Sequence, residues 1–226
     1  MSQLILRGCE RIRQIPDMSG FPNLKELCVD GCTNLIEIHD SFGFLDKLLR
    51  FSAKGCTKLR KVPRGVKLPS LEFLCLRDCS NLVIFPEILG PMENLKFVDL
   101  EGTAIENLPL SMQNLQGLQR LHLNRCKRLE HIALTNILQM LPNSFPFLKT
   151  LRLRDSNLTI LPACIEQCHF LELIDVCNCK QLQEIIGLPP STNDFLAYNC
   201  ASLKVSCSAT NILQSRVSVF CVLLSF

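Results

Sequence analysis

Apolar residues in this chain return in a fixed frame, Leu24-x-x-Leu27-x-Val29-x-x-Cys32, at intervals of about two dozen residues. The frame recurs at Leu48/Phe51/Ala53/Cys56, Leu71/Leu74/Leu76/Cys79, Leu95/Val98/Leu100/Thr103, Leu118/Leu121/Leu123/Cys126, Leu148/Leu151/Leu153/Ser156 and Leu171/Ile174/Val176/Cys179. Weaker copies stand at Met1/Leu4/Leu6/Cys9 and Thr192/Phe195/Ala197/Cys200. Inside each copy the residues alternate as a half-buried strand does. Leu27 and Val29 face a core, while Glu26, Cys28 and Asp30 face outward. A second apolar set follows each strand, Leu35/Ile38, Leu59/Val62, Leu82/Phe85 and Leu182/Ile185, and is placed to reach the same core from the opposite side. Proline after Val62 and Phe85 stops strand extension there.

A strand, a turn and a return segment repeated at this period form the leucine-rich-repeat signature. The expected fold is therefore an α/β solenoid of horseshoe form, with a parallel sheet on the concave face and irregular or briefly helical segments on the convex face. Residues 1–206 form the repeat domain, about nine coils with atypical first and last members, and residues 207–226 form a tail outside the pattern. One step between frames is longer than the rest. The extra residues fall in Thr135 to Pro146, which reads as a bulging convex loop.

Composition narrows the function classes. Hydrophobic residues make up 47% of the chain and charged residues 20%, enough to fill a continuous core. The formal charge of +3 is small beside that of a dedicated nucleic-acid binder. The opening segment lacks the basic, apolar and small-residue succession of a secretory signal. Val217 to Phe226, the most apolar stretch, has about half the ~20 residues a membrane-crossing helix needs. Seven of the 14 cysteines (9, 32, 56, 79, 126, 179 and 200) hold one equivalent repeat position, where Thr103 and Ser156 substitute. That interchange argues for reduced thiols plugging a turn, with hydroxyls doing the same work. A reducing compartment follows, cytosol or nucleus.

Particular strings resemble a known family. Pro16-Asp17-Met18-Ser19-Gly20-Phe21-Pro22-Asn23-Leu24, running to Gly31-Cys32-Thr33-Asn34-Leu35, resembles the opening repeats of plant TIR-type nucleotide-binding leucine-rich-repeat disease-resistance proteins. So do Phe85-Pro86-Glu87-Ile88-Leu89-Gly90-Pro91-Met92-Glu93-Asn94-Leu95 and Glu101-Gly102-Thr103-Ala104-Ile105-Glu106-Asn107-Leu108-Pro109. Leu188-Pro189-Pro190-Ser191 with Asn199-Cys200-Ala201-Ser202-Leu203 is similar to that family's closing repeat. The chain has no Walker-type phosphate loop and no TIR-like segment. The resemblance thus implies only the sensor half: a non-enzymatic surface that recognises a pathogen effector or guarded host protein and restrains a switch domain lying elsewhere. A free-standing intracellular scaffold, or a truncated copy without function, is the alternative.

The outward strand positions carry the candidate chemistry. Phe73 and Phe97 fall on adjacent strands as an exposed aromatic pair flanked by Arg50 and Arg120; the pair either anchors a partner or stiffens the sheet. Arg120, His122, Arg152 and Arg154 form a possible clamp for an acidic partner, but Asp99 and Asp175 bracket them, and a self-neutralising ladder is the favoured reading. A face of eight ~4.8 Å gaps and ~17 Å strands offers very roughly 600 Å², less than the ~800 Å² per partner of a standard interface. The four histidines are scattered and suggest no catalytic set. Cys164, Cys168 and His169 lack a second ligand pair, so Cys168 is expected to fill the convex core. No cofactor or metal is expected.

Overall fold

A computed structural model describes residues 1–204, so the tail at 207–226 and its apolar end lie outside the described residues. Nine three-residue strands form one parallel sheet in strict sequence order: Gln3–Ile5, Glu26–Cys28, Arg50–Ser52, Phe73–Cys75, Phe97–Asp99, Arg120–His122, Thr150–Arg152, Leu173–Asp175 and Asp194–Leu196. The register aligns the frames residue for residue, so Leu27 lies beside Leu4 and Phe51, and Leu121 beside Val98 and Leu151. The central residue of each strand points into one continuous apolar core. Leu27, Val98, Leu121, Leu151 and Ile174 have no accessible surface, and each such side chain contributes about 1.5–3 kcal/mol of burial.

Opposite the sheet, the second apolar set closes that core as expected, with Leu35, Leu59, Leu82 and Leu182 all fully buried. Here the backbone forms short two-residue ladders, such as Gln14–Ile15 with Glu37–Ile38 and Gly65–Val66 with Glu87–Ile88. It also forms 3-10 turns at Asp40–Phe44, Leu110–Asn114 and Ala163–Gln167. Pro109 and Pro162 stand at the N-caps of the last two, where their missing N–H costs nothing.

The long coil departs from expectation: His131–Ser144 is an α-helix, not a loop. Ala133, Leu134, Ile137, Leu138 and Leu141 bury one helical face between the 3-10 turns of the neighbouring coils. Pro142 sits in its last turns and cannot donate to the Leu138 carbonyl, which the Cys164 thiol approaches at 3.7 Å instead. Cys168 is buried in the core, as its position in the sequence suggested.

Each coil turns at the residue before its ladder position. Gly8, Gly31, Gly55, Asp78, Gly102, Arg125, Asp155, Asn178 and Asn199 all have φ between 54° and 73°, the left-handed region. The following ladder thiol then reaches back one coil. Cys32, Cys56, Cys79, Cys126, Cys179 and Cys200 donate to the carbonyls of Leu6, Val29, Ala53, Leu100, Leu153 and Val176 at 2.8–3.2 Å. Burial pushes the Cys56 thiol up to about 12 and that of Cys126 up to about 11, so both keep the proton they donate. The hydroxyls do not repeat this. Thr103 donates to Leu100 of its own coil at 2.8 Å, and the Ser156 hydroxyl lies 3.3 Å from the Cys179 sulfur. The thiol's longer carbon–sulfur bond gives it the reach to the preceding coil's carbonyl, a contact that neither hydroxyl makes.

Candidate functional site

The register sets three columns of side chains on the concave face. In the first, Arg50, Phe73, Phe97 and Arg120 are consecutive cross-strand neighbours. The two rings pack with centroids 5.0 Å apart. The Arg50 guanidinium lies 4.2 Å from the Phe73 centroid and that of Arg120 lies 4.6 Å from Phe97, so a cation caps each end of the aromatic pair. Phe73 and Phe97 are half-buried by these caps and by each other, rather than fully exposed as the sequence suggested, while Arg50 and Arg120 remain exposed.

The central column is more covered than its outward register implies. Asp99 and Asp175 are 5% and 2% exposed, and Cys28 and Cys75 are buried as well. Asp99 accepts the Glu101 N–H at 3.0 Å, and Asp175 accepts the Cys177 N–H at 3.2 Å. Burial raises the Asp99 pKa above the usual carboxylate value. His122 meets the Phe97 ring edge-on at 4.9 Å and places Nδ1 3.9 Å from the Asp99 carboxylate. Burial, reinforced by the Arg152 charge, drives its pKa down to about 4, so His122 is neutral at pH 7 and adds no charge to a clamp.

The two arginines of the seventh coil differ. Arg154 Nε sits 3.6 Å from Asp175, a cross-strand ion pair of the kind a self-neutralising ladder requires. Arg152 Nε is buried without a hydrogen-bond partner, a cost of about 1–3 kcal/mol in the free protein. The clamp residues are therefore one ring-stacked cation, one neutral imidazole, one paired arginine and one underused arginine.

A denser cluster occupies the third column, at residues that sequence reasoning did not mark. Glu101, 8% exposed, accepts Arg77 at 2.9 Å, Arg125 at 2.8 Å and the Asn124 amide at 3.2 Å. Arg125 also reaches Asp78 at 3.0 Å. Burial works to raise the Glu101 pKa, but the two guanidinium groups and the amide outweigh it and hold the carboxylate below its usual value. Asn124 in turn accepts the Arg154 N–H at 2.9 Å, joining this network to the arginine pair. The signal that could have found it is the left-handed position. Asp78 and Arg125 stand where other coils have glycine, so their side chains meet beside the concave rim.

Among the described residues no group of three or more His, Cys, Asp or Glu side chains is placed to hold a metal, and no helix is long and apolar enough to cross a membrane. What the concave face offers is contact chemistry: a tilted aromatic pair, cations at its ends, and buried carboxylates already partnered.

Known proteins resemble the chain in the same terms. Residues 67–147 match the family model described as disease resistance protein RPS4B-like, leucine-rich repeats. The chain is 36% identical over 218 residues to Disease resistance protein RML1B of Arabidopsis thaliana, an alignment covering 96% of this chain and 20% of that protein. It is 35% identical over 222 residues to Disease resistance protein RPP5 of the same plant, covering 82% and 15%. The chain thus spans a fifth or less of the length of these relatives. Among solved structures, the leucine-rich repeat domain of the type III effector XCV3220 (XopL) superposes with a TM-score of 0.56 at 22% identity, over 87% of this chain and 76% of that one, a likeness of fold alone.

Proposed function

The chain is a leucine-rich-repeat solenoid whose sequence resembles the repeat region of plant TIR-type disease-resistance proteins, and from that premise we propose that it is the recognition part of an immune receptor. In this reading it binds protein, does no chemistry, and works in the cytosol or nucleus. Its concave face holds a pathogen effector or a guarded host protein, and in the resting state it holds the receptor's own nucleotide-binding switch domain. The binding residues are Arg50, Phe73, Phe97, Arg120, Arg152 and Arg154, with Asp99, His122 and Asp175 setting their positions from beneath. Residues 1–206 supply this surface and 207–226 stand outside it.

The observation that carries the reading is the capped aromatic row. Two half-buried phenylalanines flanked by exposed arginines give the partly desolvated apolar surface and rim of charge that concentrate binding energy. The face is small, so restraint of a covalently linked switch domain, where effective concentration is high, suits it better than tight capture of a free partner.

The test is binding of the chain to the purified nucleotide-binding region of a TIR-type relative, measured by surface plasmon resonance. Phe73→Ala/Phe97→Ala is expected to weaken it at least about tenfold, the effect of removing a central hot spot. Equal affinity of the double variant and the parent would contradict the assignment of the concave row.

A further inference from the structure

The third coil carries the most one-sided chemistry in the chain. Between Leu48 and Ser70 stand Arg50, Lys54, Lys58, Arg60, Lys61, Arg64 and Lys67, seven cations and no acidic residue. All seven are exposed, and they follow the coil from the concave face around to the convex side. The neighbouring coils have the opposite balance. Residues 24–47 hold five acids against two cations, and residues 71–94 hold four acids against one, so each is net −3.

Little of this charge is neutralised locally. Lys61 pairs with Glu37 at 3.3 Å, both partners well exposed, and Lys58 donates to the Asn34 amide oxygen at 2.7 Å. Among the described residues, Arg60, Arg64 and Lys67 have no ion pair. Arg60 and Arg64 border a surface cleft of about 370 Å³ whose apolar wall is Val62, Pro63 and Ile84. Ile84 is 72% exposed, and Leu89, also exposed, packs its branch over Gly65 beside Arg64. Lone exposed leucines and isoleucines are ordinary, but Ile84 lines the same cleft as two guanidinium groups that have no ion pair among the described residues.

We propose that this cleft is a second docking surface, separate from the concave face, for an acidic protein segment that also carries an aliphatic side chain. The aliphatic group lies on Val62, Pro63 and Ile84, and flanking carboxylates meet Arg60 and Arg64, whose planar forks suit bidentate contact. Three features favour such a segment over a nucleic acid. The cationic band is one coil wide, ~5 Å, between acidic coils that repel a broad polyanion. Glu37 and Asp40 line the cleft itself, and its one ring is the imidazole of His39, with no phenylalanine, tyrosine or tryptophan for bases to stack on. Because coil spacing is shorter than the ~8 Å screening length, the flanking acids cancel the band at a distance, so it acts on contact rather than by long-range steering.

The experiment measures fluorescence anisotropy of labelled probes with the full chain in ~0.15 M salt. The probes are a peptide alternating Glu with Leu, a peptide of the same charge with Ser for Leu, a single-stranded oligonucleotide and anionic phosphatidylserine vesicles. The Glu/Leu peptide is expected to bind best. Arg60→Glu/Arg64→Glu is expected to weaken it at least about tenfold, and Ile84→Ser about threefold. Arg152→Glu/Arg154→Glu, on the concave face, should leave it unchanged, so failure here and failure of the concave assignment are separable. Tighter binding of the oligonucleotide or the vesicles, no preference for the Leu-containing peptide, or an Arg60/Arg64 variant that retains its native melting temperature and full peptide affinity would each overturn the proposal.

Discussion

Every strand has two sides, and they obey different rules. Inward and at the ladder, most coils place the same chemistry in the same spot: an apolar side chain at the strand centre and a thiol bonded to the coil before. Outward, successive coils place phenylalanine and arginine in one column and cysteine, aspartate and histidine in the next, and each finds a different solution. The contrast separates what the stack needs from what it can spend on recognition. A core position fails if it changes, since its neighbours above and below are built to the same shape. A concave position can change as long as its own contacts are met.

The largest effect should come from breaking the inward side. Leu121→Ala removes a fully buried side chain at mid-stack and is expected to cost roughly 3–4 kcal/mol in urea unfolding. A cost under ~1 kcal/mol would mean that the coils do not share a packed core.

The next effect comes from the outward side and is set by pH. His122 has a folded-state pKa of about 4, below its ordinary 6.5, so between those values the unfolded chain holds a proton that the folded chain rejects. Stability therefore falls as pH is lowered from about 6.5 toward 4, by roughly 1–3 kcal/mol. The raised pKa of Asp99 has the opposite sign and trims that slope. Thermal melts of His122→Gln across this window should be flatter than those of the parent chain.

At the ladder, Cys126→Ala deletes the bond to Leu100 and leaves a small void, expected to cost about 1–2 kcal/mol, with Cys126→Ser falling between alanine and parent. On the concave row, a double-mutant cycle of Phe97→Ala and Arg120→Ala should give a coupling of about 0.5–1 kcal/mol. The smallest change lies at the turn. Asp155 occupies the left-handed region at φ 54° and its side chain makes no hydrogen bond among the described residues, so Asp155→Gly should stabilise by about 0.5 kcal/mol at most. Gly55→Val, at φ 73°, should do the reverse and by more.

The same asymmetry explains what could be read from sequence. The frame from Leu24 to Cys32 repeats, so strand positions, register and the ladder followed from spacing alone. The segment 131–144 was hidden because it occurs in a single coil, and because Pro142 and Asn143 look like loop residues although five apolar residues before them keep helical spacing. The left-handed turn was hidden because four glycines share it with Asp, Arg and Asn, which have no common composition. On the concave face the pairing of Phe73 with Phe97 was legible from register. The burial of Asp99 and the loss of charge at His122 were not, since both depend on how far the folded sheet excludes water and, for His122, on the Arg152 charge beside it. Glu101 with Arg77 and Arg125 escaped for that reason too.

The central claim is that the variable side of the sheet is the one that grips another protein. Hydroxyl-radical footprinting of the chain, alone and with the nucleotide-binding region of a TIR-type relative, reads individual side chains and tests this most directly. The account predicts that Phe73, Phe97 and His122 become protected from oxidation while Phe147 and Phe170, exposed and off the three concave columns, do not. Protection of Phe147 and Phe170 with Phe73 and Phe97 unchanged would contradict it.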